Sequence, residues 1–477
     1  MTFLMKFQVL LLLFTFYERI IRKMKIVIIG CGKIGVTLIE SFLKEGHEVT
    51  AVDNDASVVK DISNSYDVRT ICGNGTDYAL LTEAGISSTD LIVATTDSDE
   101  LNMLSCFIAR KMGAKHTVAR IRNTEYNTSN LSFIKHQLEL SMVINPELLA
   151  AELIYNILKL PTAINVETFA RRKLEMAELI VKAGSVLDGA KLIDLRKTSD
   201  AQFLVSVVER DGELFIPGGN FVLKSGDKIG IVASQINLYK TLKTLGLLQK
   251  QAKNVMILGA GKTSYYLSQM LLKSDNSVKI IEIDEKRCEE LCEMLPNEAV
   301  IVHGDGMNHE LLEEEGFSDA DALVALTGMD EENILISFYA LSRGTPKVIS
   351  KVNREVLSSI AEKLGLDCLI SPLNITADIL TRYARGLNNS LGSKMETLYR
   401  IMDGKAEAIE FNVLSDFEHI NVPIKDLKIK KDILIAGIIR NQNTFIPGGS
   451  DVILPDDNVI IIAKGHRLYD LSEIIEE

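Results

Sequence analysis

Apolar positions in this chain fall into two rhythms. From Met24 to about Asn145, short apolar runs near 25–30, 48–53, 68–72, 90–94, 117–121 and 141–144 alternate with helical stretches such as 34–45 and 99–112. That alternation predicts a parallel, doubly wound sheet with helices on both faces. Pro146 then opens a helix whose apolar positions, 148, 149, 153, 154, 157 and 158, make a wide stripe. Such a stripe packs on its own domain or on a partner subunit. From 163 to about 245 the rhythm changes. Strand-like segments near 174–182, 203–209 and 228–233 surround turns at Asp211-Gly212, Pro217-Gly218-Gly219 and Ser225-Gly226-Asp227. This pattern predicts a small α+β domain of mostly short strands, with no catalytic constellation.

The whole arrangement is then repeated. Lys25-Ile-Val-Ile-Ile-Gly-Cys-Gly-Lys-Ile-Gly35 returns as Asn254-Val-Met-Ile-Leu-Gly-Ala-Gly-Lys-Thr-Ser264, 229 positions later. Val52-Asp53 answers Ile281-Glu282, Gly73-Asn74-Gly75 answers Gly304-Asp305-Gly306, and Phe215-Ile-Pro-Gly-Gly219 answers Phe445-Ile-Pro-Gly-Gly449. The fold class is therefore α/β: a duplicated Rossmann-like doubly wound parallel sheet, each copy followed by a small α+β domain. The expected boundaries are 24–145 with a crossover helix 146–160, 163–246, 252–371 with a crossover helix 372–388, and 395–475.

Residues 1–23 stand apart. The run Leu10-Leu-Leu-Leu-Phe-Thr-Phe16 resembles a signal-peptide core but has no small-residue cleavage site after it. It is shorter than the roughly 20 apolar residues of a spanning helix. The reading is an extension outside the fold, not a membrane anchor. A net charge of −13 argues against a nucleic-acid partner, which needs clustered Lys and Arg. The six cysteines contain no C-x-x-C pair and read as reduced thiols.

Chemistry concentrates at the glycine turns. In the first copy Gly30 permits the tight turn, Gly32 lets a pyrophosphate approach the backbone, and Gly35 allows close helix–strand packing; Cys31, Lys33 and Ile34 complete the loop. The helix start that follows offers free N–H groups and partial positive charge. Asp53 ends the second strand, where an acid accepts the ribose hydroxyls of an adenosine. No Arg follows it to hold a 2′-phosphate, which favours NAD over NADP. Asn74, Thr96 and Asp97 bring polar groups to the same carboxyl edge, and Arg120 ends the fifth strand as a cation for phosphates or a plain surface charge. The acids Asp97, Asp99 and Glu100 read first as a helix start, with a cation site a lesser alternative. The second copy offers Gly259, Ala260, Gly261, Lys262, Thr263, Glu282, Asp305 and Lys351 at matching places. It departs from the first at Ser264, which adds bulk where helix and strand pack, so this copy binds with altered preference or is a relic.

Gly30-Cys-Gly-Lys-Ile-Gly35, Val52-Asp53, Glu83-Ala-Gly85, Asp99-Glu-Leu-Asn102 and Ala119-Arg-Ile-Arg122 together resemble the TrkA family of potassium-uptake proteins. These are built from regulator-of-potassium-conductance (RCK) domains, and the resemblance covers essentially all of 24–477. It implies a non-enzymatic cytoplasmic subunit, peripheral on the inner face of the membrane. It implies binding of NAD(H), with ATP or ADP as further ligands. It also implies a homo-oligomeric ring, a tetramer, that gates a TrkH-like membrane potassium-translocating partner. Two other functions compete. An NAD-dependent oxidoreductase would need an acid or base beside the nicotinamide, yet the seven histidines are scattered. A nucleotide-sensing regulator of a different transporter would look the same on this chain.

Overall fold

The computed structural model describes residues 23–126, 128–170, 173–197, 202–389, 395–468 and 470–476. All but the last residue of the N-terminal extension thus lies outside the described residues. The chain divides into two compact units, which do not follow the order of the sequence.

The first unit holds the chain up to Pro146 together with 373–391. Its sheet has six strands: β1 (Lys25–Ile29), β2 (Glu48–Asp53), β3 (Arg69–Cys72), β4 (Leu91–Ala94), β5 (His116–Arg120) and β6 (Met142–Ile144). All are parallel, in the order β3-β2-β1-β4-β5-β6. The apolar runs found in the sequence are the strands, and β4 is buried along its whole length, as a sheet covered on both faces requires. The helix Lys33–Lys44 buries Ile34, Leu38, Ile39 and Phe42, one face at helical spacing. The strand order reverses at β1 and β4, which opens a crevice beyond their carboxyl ends.

Helix Pro372–Asn389, which the sequence places after the second nucleotide fold, joins this first unit from Leu373 onward. It is seated by a buried fork. The Arg385 Nε donates to Glu45 Oε2 at 2.6 Å and its Nη2 to Oε1 at 2.7 Å. The Tyr383 ring also meets His116 edge-on, with centroids 6.4 Å apart.

The second unit contains Glu147–Pro372 and the chain from 392. The helix Pro146–Lys159 therefore belongs here from Glu147 onward, and not to its own nucleotide fold. Its stripe residues Ile154, Ile157 and Leu158 are buried, and the Tyr155 hydroxyl lies 2.5 Å from Ser274 Oγ. A five-stranded antiparallel sheet follows: β7 (Asn165–Phe169), β8 (Leu174–Ile180), β9 (Phe203–Arg210), β10 (Glu213–Phe215) and β11 (Lys228–Ala233), in the order β10-β9-β11-β8-β7. The second parallel sheet has β12 (Asn254–Leu258), β13 (Ser277–Glu282), β14 (Val300–His303), β15 (Ala322–Ala325), β16 (Lys347–Lys351) and β17 (Leu369–Ile370). Its order, β14-β13-β12-β15-β16-β17, repeats the first.

The last sheet, β18 (Met395–Ile401), β19 (Ala406–Asn412), β20 (Ile433–Arg440), β21 (Asn443–Phe445) and β22 (Asn458–Ala463), repeats the first small sheet strand for strand. The two small sheets share one core, with Phe169, Met176, Val207 and Val232 against Ile401, Ala408, Ile460 and Ile462. Each also carries the same fork. Arg210 grips Asp227 at 2.7 and 2.6 Å, and Arg440 grips Asp457 at 2.8 and 2.7 Å.

The Glu45–Arg385 pair makes a specific stability prediction. Its side chains are only 6% and 9% exposed. Arg385→Met strands a buried carboxylate and should destabilise the first unit by about 3–5 kcal/mol. Adding Glu45→Leu removes both charges and should recover most of that loss. Urea denaturation of the two variants checks it; equal losses in both would show that the charges do not hold this helix.

Candidate nucleotide site

The glycine loops are shaped by contact with the strand ends. Gly30 has φ +88°, and a Cβ there would lie 2.6 Å from the Thr96 amide nitrogen. A Cβ on Gly35 would lie 2.2 Å from the Gly30 carbonyl oxygen. These two glycines are therefore required by the backbone alone. Gly32 differs, since a Cβ there would meet nothing within 4 Å. It caps the helix Lys33–Lys44 with no side-chain hydrogen bond, so the first-turn N–H groups of Lys33, Ile34 and Gly35 have no cap from a side chain. The neighbouring helices are closed differently: Asp55 and Asp77 cap 56–65 and 78–83 with their own carboxylates. Gly261 repeats the Gly32 arrangement, with open space and an uncapped helix at Lys262 and Thr263.

Asp53 does not cap a helix. Its Oδ2 accepts the Cys31 N–H at 2.6 Å and its Oδ1 accepts the Asp55 N–H at 2.9 Å. Glu282 does the same with Ala260 at 2.6 Å and Asp284 at 2.9 Å. The extra methylene of Glu282 leaves this pattern unchanged. Each carboxylate has about four lone-pair sites, so two such bonds leave acceptor capacity beside the crevice. The Cys31 thiol is buried, and burial, helped by Asp53, pushes it up to about 12. It stays protonated and unreactive at neutral pH, which gives a redox role no support.

Ser264 does not crowd the loop. Its hydroxyl donates to the Gly259 carbonyl at 2.5 Å. In the first copy the corresponding carbonyl, that of Gly30, is satisfied from the other side by Thr95 Oγ1 at 2.7 Å. Leu326 stands where Thr95 would be and has no hydroxyl to offer. The serine supplies the hydrogen bond that the leucine cannot.

Arg120 is no surface charge. It is 7% exposed, and its Nη1 donates to the Thr95 carbonyl at 3.3 Å, with Asp97 Oδ1 3.9 Å away. Lys351 takes the same position, donating to the Leu326 carbonyl at 3.1 Å. Asn74 is exposed and closes an Asx turn, its Oδ1 accepting the Thr76 N–H at 3.0 Å; Asp305 does likewise with Met307 at 2.8 Å. The turn runs close under β1: a Cβ on Gly75 would lie 2.3 Å from Ile29 Cγ2.

Thr96 is set by a residue to which sequence reasoning gave no role. Asn102 is fully buried; its Oδ1 accepts the Thr96 N–H at 2.8 Å and the Thr96 hydroxyl at 2.7 Å. Its Nδ2 donates to the Thr96 and Arg120 carbonyls at 3.0 and 2.9 Å. Asn333 repeats all four bonds to Thr327 and Lys351. Asp99, three residues earlier, is not merely a helix-start charge. Its Oδ2 accepts the Arg122 and Asn123 N–H groups at 2.9 and 2.7 Å, and Asp330 treats Asn353 and Arg354 alike. The D-x-x-N spacing, present in both copies, was the available signal. No group of three or more potential metal-ligating side chains occurs among the described residues.

Asn102→Ala would remove the partner of the half-buried Thr96 N–H and of the buried Arg120 carbonyl. A loss of about 2–4 kcal/mol is expected, since each unsatisfied buried group costs about 1–3 kcal/mol. Thermal and urea denaturation read it; a variant as stable as the parent would show that this bond set is not needed.

Comparison with known proteins agrees with this architecture. The TrkA-N domain model matches residues 26–146 and 255–372, and the TrkA-C domain model matches 176–246 and 409–476. A Trk system potassium uptake protein TrkA homolog of Archaeoglobus fulgidus is 32% identical over 451 residues, 94% of this chain and 100% of the relative. The Trk system potassium uptake protein TrkA of Halomonas elongata is 29% identical over 460 residues, 95% of this chain and 99% of the relative. The fold is similar to that of the GsuK RCK domain, with a TM-score of 0.62 at 16% identity, covering 93% of each chain. It is equally similar to the GsuK channel bound to NAD, with a TM-score of 0.62 at 16% identity, covering 93% of this chain and 77% of that one. With two TrkA-N and two TrkA-C domains in tandem and a relative matched over its whole length, this chain belongs to the TrkA family of Trk system potassium uptake proteins.

Proposed function

We propose that the first half binds NAD(H), that the second half binds a related adenosine nucleotide, ATP or ADP, and that the protein regulates a membrane potassium-translocating partner. One observation carries the binding reading. An uncapped helix N-terminus opens onto free space at Gly32, with the Asp53 carboxylate at the neighbouring strand end, and the same set recurs at Gly261 and Glu282. Helix N-terminal N–H groups and the helix dipole favour a pyrophosphate there. Arg120 and Lys351 would add positive charge at the next strand end, and Asp53 would take the ribose hydroxyls. The GsuK channel, similar in fold, has been solved with NAD bound.

The regulatory reading rests on the family. The ligand's chemistry is left untouched; nucleotides act by binding one arrangement of a homo-oligomeric, tetrameric ring better than another. Coupling of about 1–3 kcal/mol is the usual scale for such systems. The named relatives are parts of Trk potassium uptake systems, which points to a TrkH-like partner and a place on the inner face of the membrane. No helix among the described residues is long and apolar enough to cross a membrane. Against a dehydrogenase, the buried acid at the crevice, Asp99, is already committed to two backbone N–H groups.

Two measurements test this. Asp53→Ala should weaken NADH binding by about 1–3 kcal/mol, the scale of a hydrogen bond to a charged group; calorimetry on the folded variant reads it, and unchanged affinity sinks the assignment. The protein reconstituted with its potassium-translocating partner should change potassium flux when NADH or ATP is added. Flux indifferent to every nucleotide at saturation would end the regulatory reading.

A further inference from the structure

The two small domains share a fold and differ in what they turn outward. One face of the first small sheet lies in the core shared with the last sheet. The core on its other face is closed by three segments, 182–197, 221–226 and 235–244, through Leu187, Leu195, Leu223, Leu238 and Leu242. These segments form the domain's outer layer. They carry six lysines and Arg196 against two aspartates, a net charge of +5 in a chain of −13, and all seven cations are exposed. Both aspartates are engaged: Asp194 pairs with Lys197 at 3.4 Å, and Asp188 accepts the Gly184 and Ser225 N–H groups at 3.1 and 3.0 Å. The layer also holds five large apolar side chains in water: Val186, Ile193, Val222, Ile236 and Tyr239, the last two 68% and 53% exposed. In the helix Gln235–Thr244, Leu238 and Leu242 take the core side, while Ile236, Tyr239, Lys240 and Lys243 share the outer face at helical spacing. The second small domain builds the same layer from 414–429, 451–456 and 465–474; its bridge of Pro423 to Val452 answers that of Lys191 to Val222. There three Lys and Arg stand against seven acids, a net charge of −4, and no large apolar side chain is exposed among the described residues. The fold itself therefore asks for neither the lysines nor the exposed apolar groups.

We propose that the outer layer of the first small domain docks on an anionic membrane surface, with Ile236 and Tyr239 entering the headgroup region and the lysines around them meeting lipid phosphates. This goes beyond attachment through a membrane partner, because the chain itself touches lipid. Clusters of four to eight Lys and Arg on such a face suit acidic lipids. The long lysine stems lie along apolar surface while their ammonium groups stay in water, and a tyrosine likewise has an apolar body and a polar tip. A protein partner fits less well, since protein interfaces are poor in lysine and favour arginine. The overall charge of −13 does not prevent the contact, because charges more than about 10 Å from the membrane are largely screened. The two small sheets share one core, so their outer layers face away from each other, basic on one side and acidic on the other. An anionic surface attracts the first side and repels the second, which sets the orientation.

The chain has no tryptophan, so Tyr239→Trp in the full chain provides a single reporter on this face. Its emission should shift to the blue with vesicles of phosphatidylglycerol and phosphatidylcholine at low salt, and raising the salt to about 0.5 M should reverse the shift. Lys240→Gln together with Lys243→Gln should weaken vesicle binding about 5-fold for each lysine, about 25-fold in all. Both positions are exposed, so the fold should tolerate the changes, and thermal melts check this. Lys425→Gln with Lys428→Gln, on the acidic layer, should leave vesicle binding unchanged. An emission that stays put with anionic vesicles, or a Lys240/Lys243 variant that binds them as tightly as the parent, overturns the proposal and leaves regulation of a potassium partner standing. A blue shift with polyglutamate but not with vesicles assigns the face to an acidic protein and overturns the lipid contact.

Discussion

The structure turns on how one carbonyl is satisfied. Each nucleotide fold sends its first strand into a glycine loop and straight back into a helix that crosses within touching distance. The Gly30 carbonyl sits at that crossing, 2.2 Å from where a Cβ on Gly35 would be. A buried carbonyl must be paired or it costs about 1–3 kcal/mol. In the first copy the third glycine gives room, and Thr95 gives the hydrogen bond. In the second copy the serine supplies the bond itself, and the strand-end residue becomes leucine. These are two solutions of one constraint. Both fix the start of the helix so that its N–H groups face the crevice, which is where the proposed nucleotide site lies.

Around this crossing the strand ends are tied together by two short side chains. Asn102 joins the ends of β4 and β5, and Asp99 holds the loop that leaves β5. Their bonds go to backbone groups and the Thr96 hydroxyl, so the tie depends little on which side chains line the crevice. The residue after the acid can therefore differ between copies, Asn54 in one and Ile283 in the other, while the scaffold stays the same. Asn333 and Asp330 keep the tie in a half whose loop has already lost its third glycine.

Much of this was legible in the sequence. Apolar runs of four to six residues mark the parallel strands because both faces of such a strand are covered, so burial there leaves little to ambiguity. The glycine loops were readable because only glycine meets a φ of +88° and the close approach at Gly35. What stayed hidden is what depends on long-range contact. Arg120 and a surface arginine look alike in sequence, since burial at 7% is set by packing from distant elements. Ser264 looked like bulk because its benefit depends on Leu326, 62 residues away. The stripe on 147–158 was visible, but a stripe states only that it needs cover and not what provides it. β7 and β10 carry too few apolar positions to stand out from the turns around them.

The destination of the two crossover helices gives the duplication its meaning. Helix Pro146–Lys159 follows β6 of the first nucleotide fold but is part of the second unit; the helix from Leu373 follows β17 of the second fold but is part of the first. Each unit thus contains a segment whose chain continues directly from the last strand of the other sheet. β6 pairs with β5, which ends in Arg120, and β17 pairs with β16, which ends in Lys351. The Glu45–Arg385 fork makes one of these helices costly to unseat, because separating the pair would leave a charge buried. Two independent folds joined by a loose linker would each be continuous in sequence. With the helices exchanged, each unit is instead discontinuous in sequence, and neither half of the chain supplies a whole unit by itself.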